Sequence, residues 1–198
     1  MSKYLFHPIV SKNQDIGEYV FWQQGFSDND IKAIIALGEN RNPLQATIDR
    51  GRVVKDVRIS NTSWIDLQED SVWLYDRICD IVCKLNYQYY KFDLSGFYEH
   101  MQFTIYEGNE LGHYDWHLDN NLNSDSPPRK LSFVLQLSDP NDYEGGDLQL
   151  MHSTNPVTVK KEKGLVVVFP SFTLHRVTPV TKGIRKTLVV WVTGPSFR

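Results

Sequence analysis

From Phe97 onward the chain repeats with a period of two, the spacing at which side chains alternate between the two faces of a β-strand. His100, Gln102, Thr104 and Tyr106 alternate with Met101, Phe103 and Ile105. Ser132, Val134 and Gln136 alternate with Leu131, Phe133, Leu135 and Leu137. Further strands are expected at 147–152, 165–169 and 186–192, with turns at 142–146 and 181–183. Many short strands at close spacing fold into a sandwich or barrel. One face then packs on a supporting layer and the other lines a cavity. Gln102, Thr104, Tyr106, Ser132 and Gln136 are expected to wall a wet pocket, with Phe103, Ile105, Phe133 and Leu135 buried against helices.

Those helices are readable upstream. Ser27-Asp28-Asn29-Asp30 is a helix start, followed by Ile31, Ile34 and Ile35 and a stop at Gly38. Leu74, Ile78, Ile81 and Leu85 mark a second amphipathic helix over about 66–85. The 198 residues suit one α+β, mainly β domain: 1–96 as helical support with a substrate loop, and 97–198 as a jelly-roll core.

A net charge of −3 gives no electrostatic reason to expect nucleic acid as a partner. No apolar run approaches a membrane span, and Met1-Ser2-Lys3-Tyr4 does not open a secretory signal, so a cytoplasmic location is expected. Cys79 and Cys83 share a helix face with apolar neighbours and read as small buried side chains in a reducing compartment.

Within the β-rich half, His117-Leu118-Asp119 puts an imidazole and a carboxylate on one face of a strand, and His175 follows in Leu174-His175-Arg176-Val177. Two imidazoles and one carboxylate can occupy one face of an octahedral Fe(II) and leave the other face open. Arg185 begins an apolar strand (Leu188, Val189, Val190, Trp191, Val192), where an inward guanidinium is costly without an anion. Paired in two parallel hydrogen bonds, it would hold the far carboxylate of a chelating 2-oxo acid. His113-Tyr114-Asp115 offers a second His-x-Asp, and on a regular strand His113, Asp115, His117 and Asp119 would share a face. His7, His100 and His152 have no evident partner.

With these residues in hand, 97–195 resembles the Fe(II)/2-oxoglutarate-dependent oxygenases, in the prolyl 4-hydroxylase-like branch. Tyr106-Glu107-Gly108-Asn109 resembles the start of that family's iron-strand motif, and Tyr114-Asp115-Trp116-His117-Leu118-Asp119 its Tyr-x-x-His-x-Asp end. That frame favours His117 over His113. The span from Tyr106 to His117 is a residue longer than in close prolyl hydroxylases, which points to a bulge near His113. Asp142-Tyr143-Glu144-Gly145-Gly146-Asp147-Leu148 resembles the family's Gly-Gly-x-Leu turn and strand, and the run from His175 through Arg185 to Trp191 its closing strands.

The resemblance implies a double-stranded β-helix, Fe(II) held by His117, Asp119 and His175, and 2-oxoglutarate held at its C5 carboxylate by Arg185. It implies cofactor contacts for Tyr106, Ser132, Gln136 and Trp191, and a substrate-facing Tyr114. Gln136 stands where some prolyl hydroxylases carry a Tyr that also binds C5. Arg58-Ile59-Ser60-Asn61-Thr62-Ser63-Trp64-Ile65 resembles a stretch beside a loop that folds over substrate. Here that loop is 41–58, with Arg41, Arg50, Arg52, Lys55 and Arg58. The implied activity is hydroxylation of a prolyl residue in a peptide or protein, with ascorbate as a reductant of oxidised iron. The alternatives are an oxygenase of a free amino acid or other small molecule, and a non-catalytic metal-binding jelly roll. Asp119 favours hydroxylation over halogenation, because related halogenases lose that carboxylate.

Overall fold

The computed structural model describes residues 19–48, 52–121 and 126–196. The first half contributes β1 (Val20–Trp22), α1 (Asp28–Asn40), β2 (Leu44–Gln45), β3 (Arg58–Ile59), β4 (Asn61–Ile65) and α2 (Val72–Leu85). The second half contributes β5 (Met101–Glu107), β6 (His113–His117), β7 (Arg129–Gln136), β8 (Tyr143–Gly145) and β9 (Leu148–Met151). It continues with β10 (Pro156–Thr158), β11 (Val166–Pro170), β12 (Leu174–Val177) and β13 (Val180–Thr193). The strands form two antiparallel sheets. The larger runs β1-β11-β7-β13-β5-β4-β2, with β8 added to β13, and the smaller runs β10-β9-β12-β6-β3. This is the double-stranded β-helix. The first 96 residues are therefore built into both sheets: β1, β2 and β4 extend the larger one and β3 edges the smaller.

Both helices cover the outer face of the larger sheet. Ser27 caps α1, accepting from the Asp30 backbone N–H at 3.2 Å while the Asp30 carboxylate accepts from the Ser27 N–H at 2.8 Å. Helix α1 does not stop at Gly38 but runs on to Asn40. Gly38 is there because a Cβ would overlap the Phe103 ring, so it is a packing residue inside the helix. Helix α2 starts at Val72, later than the apolar spacing suggested. Ser71 accepts from the Gln68 N–H at 2.9 Å and donates to the Asp66 carbonyl at 2.6 Å, closing a turn before the helix. Ile31, Ile34, Leu74, Ile78 and Leu85 then bury against Phe103, Phe133, Leu135, Leu188 and Val190. Fully burying such side chains contributes roughly 1.5–3 kcal/mol each.

The two expected turns are strand instead. Tyr143–Gly145 pairs with β13, and 181–183 lies within β13, which bulges between Val180 and Lys182. Glycines usually announce turns, but here they allow backbones to approach. At Gly183, with φ of 71°, a Cβ would strike the Asp142 carbonyl. Among the described residues no helix is long and apolar enough to cross a membrane.

Candidate active site

The inner faces of the two sheets enclose a cavity of about 310 Å³. Strands β6 and β12 are neighbours in the smaller sheet, and His117 pairs directly with His175. The next pair is Tyr114 with Val177, so three residues on β6 oppose two on β12. That bulge breaks the alternation and turns Tyr114 and His117 to the same side, where their rings stack with centroids 3.5 Å apart. It also separates the rival His-x-Asp. His113 pairs with Ile59 on β3, with its Nδ1 2.9 Å from the Leu111 carbonyl, and Asp115 is exposed. The irregularity lies between Tyr114 and His117, directly after His113, within the span whose length pointed to a bulge.

Just past β6, the Asp119 backbone N–H donates to the Ser171 carbonyl at 2.9 Å. Its Oδ2 accepts from the Ser132 hydroxyl at 2.7 Å. Oδ1 lies 3.7 Å from His117 Nε2, and Oδ2 3.4 Å from His175 Nε2. Nδ1 of His117 is 2.7 Å from the Asp115 carbonyl and Nδ1 of His175 is 2.9 Å from the Thr173 carbonyl. Each Nδ1 therefore carries the proton, and each Nε2 lone pair faces the carboxylate. The ligand atoms of the three residues lie within 4.8 Å of one another. Burial, then the neighbouring His175, push the His117 pKa down to about 4, against the pull of Asp119. For Asp119, burial would raise the pKa, but His175, His117 and the Ser132 hydroxyl together hold it down to about 2. At neutral pH His117 is an unprotonated imidazole and Asp119 a carboxylate, the states a divalent metal needs. The donor set fits Fe(II).

Arg185 and Tyr106 pair across β13 and β5, and both line the cavity with Trp191 and Tyr114. Arg185 is 2% exposed, and its Nε is buried with no hydrogen-bond partner among the described residues. An orphaned buried guanidinium N–H fits a bound carboxylate, so the residues fit 2-oxoglutarate as well as iron. Ser132 reaches the site through Asp119. Gln136 does not line the cavity: its side-chain amide donates to the Lys160 carbonyl at 2.8 Å. Thr104 is buried and donates to Gln102 at 3.2 Å.

The 41–58 stretch divides. Arg41 faces away, bound to Asp66 and Asp70, while Arg52 and Lys55 are exposed. Arg50 lies outside the described residues. Thr47, Ile48 and Arg58 line the cavity. His7 also lies outside the described residues, and His152 stacks on Tyr19 with centroids 6.1 Å apart.

Sequence reasoning missed Glu99 and Arg129. Arg129 pairs with Glu99, donates to the Asp119 carbonyl at 3.3 Å, and sits over the Trp191 ring at 3.7 Å. A signal was present, since Arg129 opens β7, whose other residues are mostly apolar, whereas Arg185, expected to begin its strand, lies inside β13.

Residues 101–193 match the model of the 2OG-Fe(II) oxygenase superfamily. The fold is shared with solved prolyl hydroxylases. A prolyl 4-hydroxylase from Pseudomonas putida superposes with a TM-score of 0.71 at 21% identity, covering 90% of this chain and 94% of that one. A Trichoplax adhaerens prolyl hydroxylase in complex with a hypoxia inducible factor peptide gives 0.75 at 16% identity, covering 89% and 84%. In sequence the chain is similar to a PKHD-type hydroxylase of Synechococcus sp. (strain CC9311), 41% identical over 91 residues, which is 46% of this chain and 41% of that protein. It is also similar to one from Gloeothece citriformis, 45% identical over 80 residues, 40% of this chain and 36% of that protein. The chain thus spans about two fifths of the length of these curated relatives.

Proposed function

We propose that this chain is an Fe(II)- and 2-oxoglutarate-dependent dioxygenase that hydroxylates a C–H bond of a prolyl residue in a peptide or protein. The observation that carries the reading is the convergence of His117, Asp119 and His175 in one cavity with a buried Arg185 whose Nε has no hydrogen-bond partner among the described residues. Iron(II) with 2-oxoglutarate and dioxygen supplies the oxidising power for such a hydroxylation. His117, Asp119 and His175 would hold the metal. Arg185 would pair with the C5 carboxylate, and Tyr106, whose ring centroid lies 5.3 Å from the Arg185 guanidinium, would steady it. Ser132 keeps Asp119 oriented. Tyr114 and Trp191 line the same cavity.

The prolyl substrate is supported by the likeness to the solved prolyl hydroxylases, one of them bound to a peptide fragment. Cys79 is half-buried and Cys83 exposed, so they are not the two buried side chains their apolar neighbours suggested; a cytoplasmic setting, and ascorbate as the reductant of oxidised iron, belong to this reading. The test is aerobic incubation with Fe(II), 2-oxoglutarate, ascorbate and a library of proline-containing peptides. The expected result is succinate formation coupled to a gain of one oxygen on proline. Turnover of 2-oxoglutarate that no prolyl peptide stimulates, while another substrate does, contradicts the prolyl assignment.

A further inference from the structure

Resting on the oxygenase reading, we propose that Arg58 is the receptor for a carboxylate on the substrate. Among the described residues, the titratable groups lining the cavity besides tyrosines and the two ligand imidazoles are Arg58, Arg129, Arg185, Glu99 and Asp119. Three guanidiniums face two carboxylates. Iron(II) and dianionic 2-oxoglutarate cancel one another, so a loaded site keeps one positive charge. The pairings say where that charge sits. Arg129 is neutralised by Glu99, Asp119 belongs to the metal, and Arg185 is matched by the C5 carboxylate. Arg58 is left.

Arg58 is a buried cation whose hydrogen-bond acceptors are neutral. The side chain is 7% exposed and has no carboxylate partner among the described residues. Its Nε donates to Ser60 Oγ at 2.8 Å and one terminal nitrogen to Gln102 Oε1 at 2.9 Å, both neutral acceptors. A guanidinium has five N–H donors, so these contacts orient it without neutralising it. Its Cζ lies 4.6 Å from the centroid of the Tyr114 ring, which stacks on His117. The rest of the guanidinium is thus held one ring away from a metal ligand, on the wall of the same cavity. A peptide carbonyl would satisfy N–H groups but leave the buried charge standing. A carboxylate satisfies both. It can be the substrate's own α-carboxylate or an acidic side chain beside the reacting residue.

The experiment uses trifluoroacetate as a minimal carboxylate and Mn(II) in place of iron, with 2-oxoglutarate saturating so that Arg185 is occupied. Manganese and 2-oxoglutarate uptake are titrated separately. The ¹⁹F relaxation of trifluoroacetate is then followed in wild type, Arg58→Gln and Arg58→Lys, with Zn(II) as the diamagnetic control. The expected result is saturable relaxation in wild type, a dissociation constant at least tenfold weaker in Arg58→Gln, and recovery in Arg58→Lys. In a second arm, N-acetylproline and acetyl-Pro-Asp-amide compete with the probe, each beside its uncharged amide counterpart. Displacement by either acid but not by its amide supports the proposal and identifies which carboxylate is read. No saturable relaxation in a wild type that holds Mn(II) and 2-oxoglutarate, an unchanged Arg58→Gln, or equal displacement by acid and amide overturns it. Failure to take up Mn(II) or 2-oxoglutarate, visible in the separate titrations, overturns the oxygenase reading and this inference with it.

Discussion

His117 and His175 are direct cross-strand partners on β6 and β12, with ring centroids 4.1 Å apart and Nε2 atoms turned to the same carboxylate. Neighbouring strands therefore set the spacing of the two imidazoles. Only Asp119 depends on a loop, and that loop is pinned by the Ser171 carbonyl and the Ser132 hydroxyl.

Ser132→Ala removes the hydroxyl that orients Asp119 without touching a ligand. Metal affinity should fall about 10- to 100-fold, the usual cost of losing such a support. Mn(II) titration followed by electron paramagnetic resonance measures it. An unchanged affinity would mean that the Ser171 contact alone holds Asp119.

Arg185→Ala should weaken 2-oxoglutarate binding by about 30-fold or more, since truncating one partner of a buried charge pair costs about 2 kcal/mol or more. Mn(II) affinity should stay near the wild-type value. Calorimetric titration of the Mn(II) form with 2-oxoglutarate separates the two effects.

The metal-free protein should lose stability as pH falls from about 6.5 to about 4. His117 is held neutral by burial first and by His175 second, with its pKa lowered from 6.5 to about 4. In that window the unfolded chain binds a proton the folded chain refuses, so acid favours unfolding, by on the order of 3 kcal/mol across the window. Asp119, lowered from 3.8 to about 2, continues the trend below pH 4. Urea unfolding at a series of pH values reads the slope, and His117→Gln should flatten it between pH 6.5 and 4.

Gly38→Ala distinguishes packing from helix propensity. In an exposed helix the change stabilises by about 1 kcal/mol. Here the added methyl meets the Phe103 ring, and overpacking should destabilise by about 1–3 kcal/mol instead. Thermal unfolding gives the sign.

What was legible in the sequence follows from the range of the interactions involved. The His117-x-Asp119 pair, His175, Arg185 and the Ser27 cap declare themselves by local spacing, as does the alternation of Met101, Phe103 and Ile105 with Gln102, Thr104 and Tyr106. The β6 bulge shows in the sequence only as a motif one residue too long, because its exact place is defined against β12, some sixty positions away. Gly145 and Gly183 read as turn residues because the carbonyls crowding them, Pro179 and Asp142, are remote in sequence. Gln136 shares a strand face with the pocket residues, yet the Lys160 carbonyl draws its amide away. Arg129 stands out at the head of an apolar strand, but that it pairs with Glu99, thirty residues away, is not something spacing reveals.

The central claim is that His117, Asp119, His175 and Arg185 together hold iron and 2-oxoglutarate. Its most direct test is an anaerobic titration of metal-free protein with Fe(II) and then 2-oxoglutarate, watched for the visible metal-to-ligand charge-transfer band. The band should appear in wild type and weaken in both Asp119→Ala and Arg185→Ala. Its absence from folded wild-type protein would contradict the oxygenase account and leave a metal-binding jelly roll without this chemistry.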